Sequence, residues 1–268
     1  MHEGIEFNRR MWNERARINV KSDLYAHQDF LNNRRNTLHE IERRELEGLL
    51  PGARVLHLMC HFGHDTLSMA MLGADVTGVD FSEDAIAIAR ESAVALHLPA
   101  RFIVSNLYDL PQHLDETFDI VFMSYGVLTW LPDLRAWAEL IARYLKPGGT
   151  FYMAEYHPAV MIFDDEATTP ALRYSYFNEG ALVLEVKGSY ADRDAETQEK
   201  VSYEWAYPLG EVITQLVNVG LKLEYLHEFA QTNYPMFDWL ERREDGYWYV
   251  PEGLPALPLV FSVKAKKA

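Results

Sequence analysis

Along the first fifty residues, apolar positions recur with a helical period. In LHEIERRELEGLL, Leu38, Ile41, Leu46 and Leu49 fall near one face among charged neighbours. From residue 53 the pattern becomes short apolar runs alternating with amphipathic stretches. ARVLHLM reads as a buried strand, HDTLSMAMLG as a helix ending at Gly73, and ADVTGVD as a second strand. SEDAIAIARESAVALHL reads as a helix with Ser82 at its N-cap, where Glu83 and Asp84 suit the positive end of the dipole. RFIVSN and FDIVFMS read as strands, DLRAWAELIARYLKPGG as a helix stopped by Pro147 and Gly148, and TFYMAEY as the next strand. Strands alternating with helices predict an α/β fold with a parallel sheet covered on both faces.

After Tyr156 the rhythm breaks. Acidic turn signals in DDEATTP and ADRDAETQEK flank the period-two runs ALVLEVKGSY and KVSYEWAY. These predict antiparallel strands in an insertion too short for a core of its own. LGEVITQLVNVG then restores a helix up to Gly220, followed by strands LKLEYLHEF and LPLVFSVKAK. The chain divides into an N-terminal helical segment (1–50), an α/β half (51–156), the β insertion (157–207), and a last helix with strands completing the sheet (208–268).

Composition excludes some function classes. A formal charge of -15 repels a nucleic-acid backbone or an anionic membrane. The one basic run, RRMWNERAR, reads as a solvated helix face. The only cysteine, Cys60, leaves no intrachain disulfide. With no signal-peptide pattern and no apolar run of membrane-span length, a cytoplasmic protein is expected.

The candidate chemistry lies in VLHLMCHFGHDTLSMA, where the first strand turns into a helix. In open parallel sheets ligands bind outside the carboxyl ends of the strands, and Cys60 to Gly63 form such an end. Asp80 closes the next strand at the spacing of a ribose-hydroxyl ligand, and Gly63 offers a side-chain-free approach to the backbone. His57, Cys60, His61 and His64 are the competing metal reading. Strand alternation points His57 and Cys60 apart, so no metal site is expected.

VLHLMCHFGHDTLSMA followed by ADVTGVDFSEDAIAIAR resembles the first two motifs of class I S-adenosylmethionine-dependent methyltransferases, VLDLGCGxGxxTxxLA and VxGVDxSxxxIxxAR. FDIVFMSYGVLTWLPDL and YLKPGGTFYMAEY look like the later motifs, and the loop is similar to a CHFG-type branch of the family. The resemblance covers most of residues 55–156. It implies a Rossmann-like doubly wound sheet, mostly parallel with an antiparallel last strand, beside the β insertion. Here His57 stands for the family's acidic residue, Met59 and His61 for two of its glycines, and Asn106 for the adenine-contacting aspartate. Asn106 keeps an oxygen that can accept from the adenine amino group.

On this resemblance His61, Gly63, Asp80, Phe81, Ser82, Asn106, Leu107, Ser124 and Tyr125 hold S-adenosylmethionine, whose product is S-adenosylhomocysteine. Trp12 and Tyr25 join them if the N-terminal segment acts as a lid. The His61 ring is expected to face the methionine end, with cofactor affinity falling as pH drops through about 6.5. A methyl transferred to oxygen would also want a base, and Tyr156 and His157 are the candidates, with ordinary turn residues as the bland alternative.

The aromatic content of the insertion and tail (Tyr174, Tyr176, Phe177, Tyr190, Tyr203, Trp205, then Tyr234, Phe237, Trp239, Trp248) suits a small, apolar or aromatic acceptor. The insertion is expected to cover the acceptor site. Two other classes stay open. An NAD-dependent oxidoreductase is disfavoured by the lack of G-x-G-x-x-G after Leu58, and a catalytically silent cofactor-binding protein is motivated by His57, Met59 and His61.

Overall fold

The computed structural model describes residues 3–177 and 180–268. Helices α1 (Glu3–Asn19), α2 (His27–Asn33) and α3 (Glu40–Leu46) precede the sheet. The alternating half follows as β1 (Arg54–Leu58), α4 (His64–Met71), β2 (Asp75–Asp80), α5 (Glu83–Ala95), β3 (Ala100–Val104), β4 (Phe118–Ser124), α6 (Leu134–Tyr144) and β5 (Leu145–Tyr156). Then come β6 (Leu182–Glu185), β7 (Val201–Glu204), α7 (Leu209–Asn218), β8 (Leu221–Phe229), β9 (Gln231–Thr232), β10 (Glu241–Arg242), β11 (Trp248–Tyr249) and β12 (Val260–Lys267).

Seven strands pair in the order β3-β2-β1-β4-β5-β12-β8. Those from β3 to β5 run parallel, and β12 lies antiparallel to both β5 and β8, as the resemblance implies. The chain runs outward from β1 to β3 and returns to β4, which makes the β1/β4 crevice the switch point where ligands collect. Strands covered on both faces need apolar residues at successive positions. Val121, Phe122 and Met123 of β4 are accordingly all fully buried. One face packs Leu58, Met123 and Phe151 on Trp137 of α6 and Leu216 of α7. The other packs Val55, Phe122 and Tyr152 on Leu46 of α3 and Met69 of α4.

Three expectations are corrected. Helix α6 ends at Tyr144, ahead of Pro147, and residues 145–149 enter β5 through a register irregularity opposite Phe118 and Ile120. Leu49 is exposed, because a 3₁₀ turn over Glu47–Leu49 tightens the end of α3 and turns Leu50 inward instead. The RRMWNERAR face is not merely solvated. Arg9 and Asn13 bond Glu83, and Arg17 reaches Asp84 at 2.7 Å, so α1 lies across the acidic start of α5.

The insertion does form an antiparallel pair, β6 with β7. Helix α1 is laced to it by Asn8, which donates to the Tyr203 carbonyl (2.7 Å) and accepts from the Tyr203 N–H (2.9 Å). Gly4 permits this approach, since a Cβ there would lie 2.6 Å from the Tyr203 ring. A second excursion, between β8 and β12, carries a small sheet of order β10-β11-β9 that the sequence pattern did not announce. Phe237, Trp239, Leu240 and Val250 from this excursion pack on Val160 of the insertion. The two segments thus form one cap, with a core that neither could build alone.

Candidate functional site

The turn after β1 takes a left-handed backbone at three alternate positions: Met59 (φ 57°), His61 (φ 50°) and Gly63 (φ 77°). These are the three positions at which the family motif writes glycine. Two are filled by residues for which that conformation costs roughly 1–2 kcal/mol each. Asp80 braces the turn: its Oδ2 accepts from the His61 N–H (2.8 Å) and its Oδ1 from the Ser82 N–H (2.9 Å). Burial pushes the Asp80 carboxyl up to about 6, against those bonds. Gly63 is demanded by φ and also by packing, because a Cβ would stand 2.8 Å from the Phe102 ring. The space left by its missing side chain is therefore filled by protein.

His61 packs its ring among Phe62 (centroids 4.1 Å), Trp12 (5.4 Å) and Tyr25 (5.5 Å). Burial pushes its imidazole down to about 3, so the ring stays neutral across the physiological range. A ring neutral at pH 6.5 argues against the expected loss of affinity there. The other histidines diverge. His57 Nδ1 meets Thr66 Oγ1 at 2.8 Å, whereas His64 Nε2 meets His27 Nδ1 at 2.8 Å and stacks on Phe30. Among the described residues no group of three or more His, Cys, Asp or Glu side chains is placed to hold a metal ion.

A cavity of about 2340 Å³ opens outside the carboxyl ends of β1, β4 and β5. That exceeds the roughly 300–1,000 Å³ of an ordinary ligand pocket, leaving room for two ligands. His61, Gly63, Asp80, Phe81, Ser124, Tyr125 and Tyr156 line it together with Trp12 and Tyr25. A small side cavity between β2 and the β3–β4 loop is lined by Asp80, Phe81, Asn106 and Leu107. Asn106 Oδ1 accepts from the Tyr108 N–H (3.1 Å), while its Nδ2 is buried without a partner. The side chain thus offers a donor, and its oxygen keeps a second lone pair for the accepting role expected of it.

Two candidates do not reach the cavity walls. Ser82 caps α5, accepting from Ala85 N–H (3.1 Å) and donating to Asn13 Oδ1 (2.7 Å), so its hydroxyl is committed. His157 turns the other way: Nδ1 accepts from the Ala159 N–H (3.0 Å), Nε2 lies 2.9 Å from a Glu228 carboxylate oxygen, and the ring abuts Phe261. It is withdrawn as a base. Tyr156 does face the cavity, but burial holds its phenol far above the range where it would give up a proton.

Sequence reasoning missed Glu155. Its buried carboxylate accepts from the N–H groups of Gly126, Val127 (2.7 Å), Leu128 (3.1 Å) and Tyr156 (2.6 Å), fixing the loop that presents Tyr125. It missed Asp65 as well, which accepts from Thr37 Oγ1 (2.6 Å) and Ser124 Oγ (3.1 Å) across the cavity floor. The one available signal for Glu155 was an acid closing an apolar strand.

Sheet order, antiparallel β12 and the braced turn after β1 together define the class I methyltransferase fold. Residues 55–149 match the family model described as "Methyltransferase domain". It is 34% identical over 105 residues to a ubiquinone biosynthesis O-methyltransferase of Xanthomonas campestris, covering 39% of this chain and 44% of that one. A demethylmenaquinone methyltransferase of Bacillus mycoides is 31% identical over 131 residues, covering 46% and 54%. The chain thus spans about half the length of these curated relatives. Among solved structures, an S-adenosylmethionine-dependent methyltransferase from Mesorhizobium loti superposes with TM-score 0.59 at 21% identity, covering 84% of this chain and 97% of that one. Magnesium protoporphyrin IX methyltransferase from Synechocystis PCC 6803, with bound SAH, gives 0.58 at 15% identity, covering 99% and 100%. At these identities the solved structures speak for the fold alone.

Proposed function

We propose that the chain is an S-adenosylmethionine-dependent methyltransferase acting on a small, apolar or aromatic acceptor. The observation that carries this reading is the β1–α4 turn. It holds the left-handed backbone at positions 59, 61 and 63 although two of them are not glycine, so the cofactor-type turn persists where its usual letters do not. A turn released from that role would shed the strain. This supports a retained cofactor site, and turnover is what separates the enzyme from the silent binder.

The residues present fit the cofactor. The orphaned Asn106 Nδ2 supplies a donor for an adenine ring nitrogen, and Asp80 keeps a second lone pair on each oxygen for ribose hydroxyls. Apolar Phe81 and Leu107 flank that slot. When bound, S-adenosylmethionine supplies an already activated methyl group, so the protein's task is to orient the acceptor and exclude water. Trp12 and Tyr25 close the N-terminal side, and cap residues such as Tyr190 and Tyr234 close the other. The N-terminal segment serves as a lid and the insertion covers the acceptor. No side chain is assigned as a base. The acceptor class draws on the aromatic walls, and the quinone-pathway relatives agree with it.

A chain carrying -15 charges is an unsuitable partner for nucleic acid, and its single thiol fits a reducing, cytoplasmic setting. Among the described residues no helix is long and apolar enough to cross a membrane. Calorimetric titration of the full chain with S-adenosylmethionine, S-adenosylhomocysteine and NAD tests the reading. The first two should bind and NAD should not. Tight NAD binding with no response to the sulfonium would sink it, and cofactor binding without methyl transfer to any phenol of a broad panel would favour the silent binder.

A further inference from the structure

Arg15 stands one turn after Trp12 on α1 and lines the large cavity. Its Nε is sealed from solvent with no hydrogen-bond partner, and among the described residues no carboxylate forms an ion pair with it. The guanidinium carbon sits 5.5 Å from the centre of the Trp12 ring, which steadies its plane. The negative group that acts on it most strongly is Glu204 of the cap, whose Tyr190 and Tyr234 phenols also line the cavity. The Glu204 carboxyl is engaged elsewhere, accepting from Ser202 Oγ (2.9 Å) and Thr129 Oγ1 (3.4 Å). A charged fork thus lines an aromatic chamber with no anion in ion-pair contact among the described residues. Unpaired buried charges are costly enough that proteins supply a partner for them.

We propose that Arg15 grips a carboxylate on the methyl acceptor, whose flat apolar body lies against the aromatic wall built by Trp12, Tyr190 and Tyr234. A planar guanidinium matches a carboxylate with two parallel hydrogen bonds, a geometry that neither a neutral amide nor a bare apolar ring reproduces. This inference rests on the methyltransferase reading and refines its acceptor from apolar or aromatic to an aromatic acid. Arg15 faces cap residues rather than Asp80 and Asn106, which separates its partner from the nucleoside end of the cofactor.

The test titrates the full chain, saturated with S-adenosylhomocysteine, with benzoate, 4-hydroxybenzoate and benzamide. The two acids should bind about tenfold or more tighter than the amide, as expected for a charge-assisted pair. In Arg15→Gln that preference should vanish, and Arg15→Lys should restore part of it. Equal binding of acid and amide by the parent, or no binding of either acid, would overturn the proposal whether or not Arg15→Gln folds. A preference that survives in Arg15→Gln would overturn it too. If Arg15→Gln weakens S-adenosylhomocysteine but not 5′-methylthioadenosine, which lacks the carboxylate, Arg15 serves the cofactor and the proposal fails. A parent that binds no S-adenosylhomocysteine at all would instead count against the methyltransferase reading itself.

Discussion

The His61 backbone N–H donates to Asp80 Oδ2 over 2.8 Å, tying the turn after β1 to the end of β2. With Ser82 N–H on the other oxygen, one carboxylate holds two loops in register. Asp80→Ala would orphan both donors in a buried place, at about 1–3 kcal/mol each. The variant should therefore melt measurably lower as well as bind S-adenosylhomocysteine at least about tenfold more weakly. Asp80→Asn, which keeps an accepting oxygen, should recover more stability than affinity. An Asp80→Ala protein with parental melting and parental affinity would remove both roles. Differential scanning calorimetry and titration on one preparation separate them.

His61 carries a different expectation. Its folded pKa lies near 3, below its unfolded value of about 6.5, so its contribution to stability is present above 6.5 and declines as pH falls toward 3. Between pH 5.5 and 8 the ring does not titrate in the folded protein. Cofactor affinity over that range should be flat as far as His61 is concerned, in contrast to the reading from sequence. Replacing it by glycine relieves the left-handed strain, whereas alanine loses the same ring contacts and keeps the strain. His61→Gly should therefore be more stable than His61→Ala by about 1 kcal/mol. Equal melting of the two would show the backbone there to be less restrictive than φ 50° implies.

How far the sequence reached follows from the physics of each element. Strands β1 and β4 announce themselves because burial on both faces demands near-continuous apolar runs, and Ser82 as a cap is fixed by local chemistry. The motif letters located the cofactor turn and Asp80. What stayed illegible depends on contacts distant in sequence. Asn106 offers an unpartnered Nδ2 donor because Tyr108 N–H fixes how its amide sits, and His157 turns away because β8 brings Glu228 beside it. The β9–β11 excursion hides because strands of two residues carry no period. Arg15 looked like one more charge in a basic run until folding set it in the cavity wall.

Tyr156 lines the cavity with a phenol held far above neutrality by burial, so it cannot serve as a proton acceptor in the working range. Tyr156→Phe should keep turnover within about threefold of the parent, because general-base catalysis is worth 10²–10⁴-fold and none is lost. A fall of a hundredfold or more, with an altered pH–rate profile, would reinstate Tyr156 as the base.

Glu42 on α3 is fully buried, with the Tyr125 side chain as the polar side chain that reaches its carboxyl. Burial, reinforced by the nearby charge of Asp65, pushes its carboxyl up to about 8. A folded pKa above the unfolded value of about 4.5 means that its contribution to stability is complete below 4.5 and is lost as pH rises through 8. Glu42→Gln keeps the shape and removes the titration. The variant should thus match the parent near pH 5 and exceed it at pH 8.5, by an amount on the order of 2 kcal/mol after allowing for relaxation of the site. Urea unfolding across pH 5 to 8.5 reads this directly. Parallel curves for the two proteins would mean that Glu42 ionises freely and that its burial is relieved by local opening.

The last expectation concerns the clamp between α1 and the cap. Asn8 makes paired hydrogen bonds to the backbone of Tyr203, the same device by which one strand recognises its neighbour. Helix α1 carries Trp12 against His61, and Trp12 in turn touches Trp130 and Tyr190, so the cap and the cofactor turn meet through this one helix. If the helix is a lid, loosening the clamp should speed ligand exchange while leaving the nucleoside contacts of Asp80 and Asn106 in place. Asn8→Ala removes both bonds at a cost of about 1–2 kcal/mol, since the half-exposed Tyr203 backbone can turn to water. Stopped-flow displacement of S-adenosylhomocysteine should then show dissociation faster by about tenfold with association little changed, because contacts made after encounter act mainly on the off-rate. Unchanged dissociation in a correctly folded Asn8→Ala protein would reduce α1 to a structural brace and leave the cofactor's exit to the cap alone.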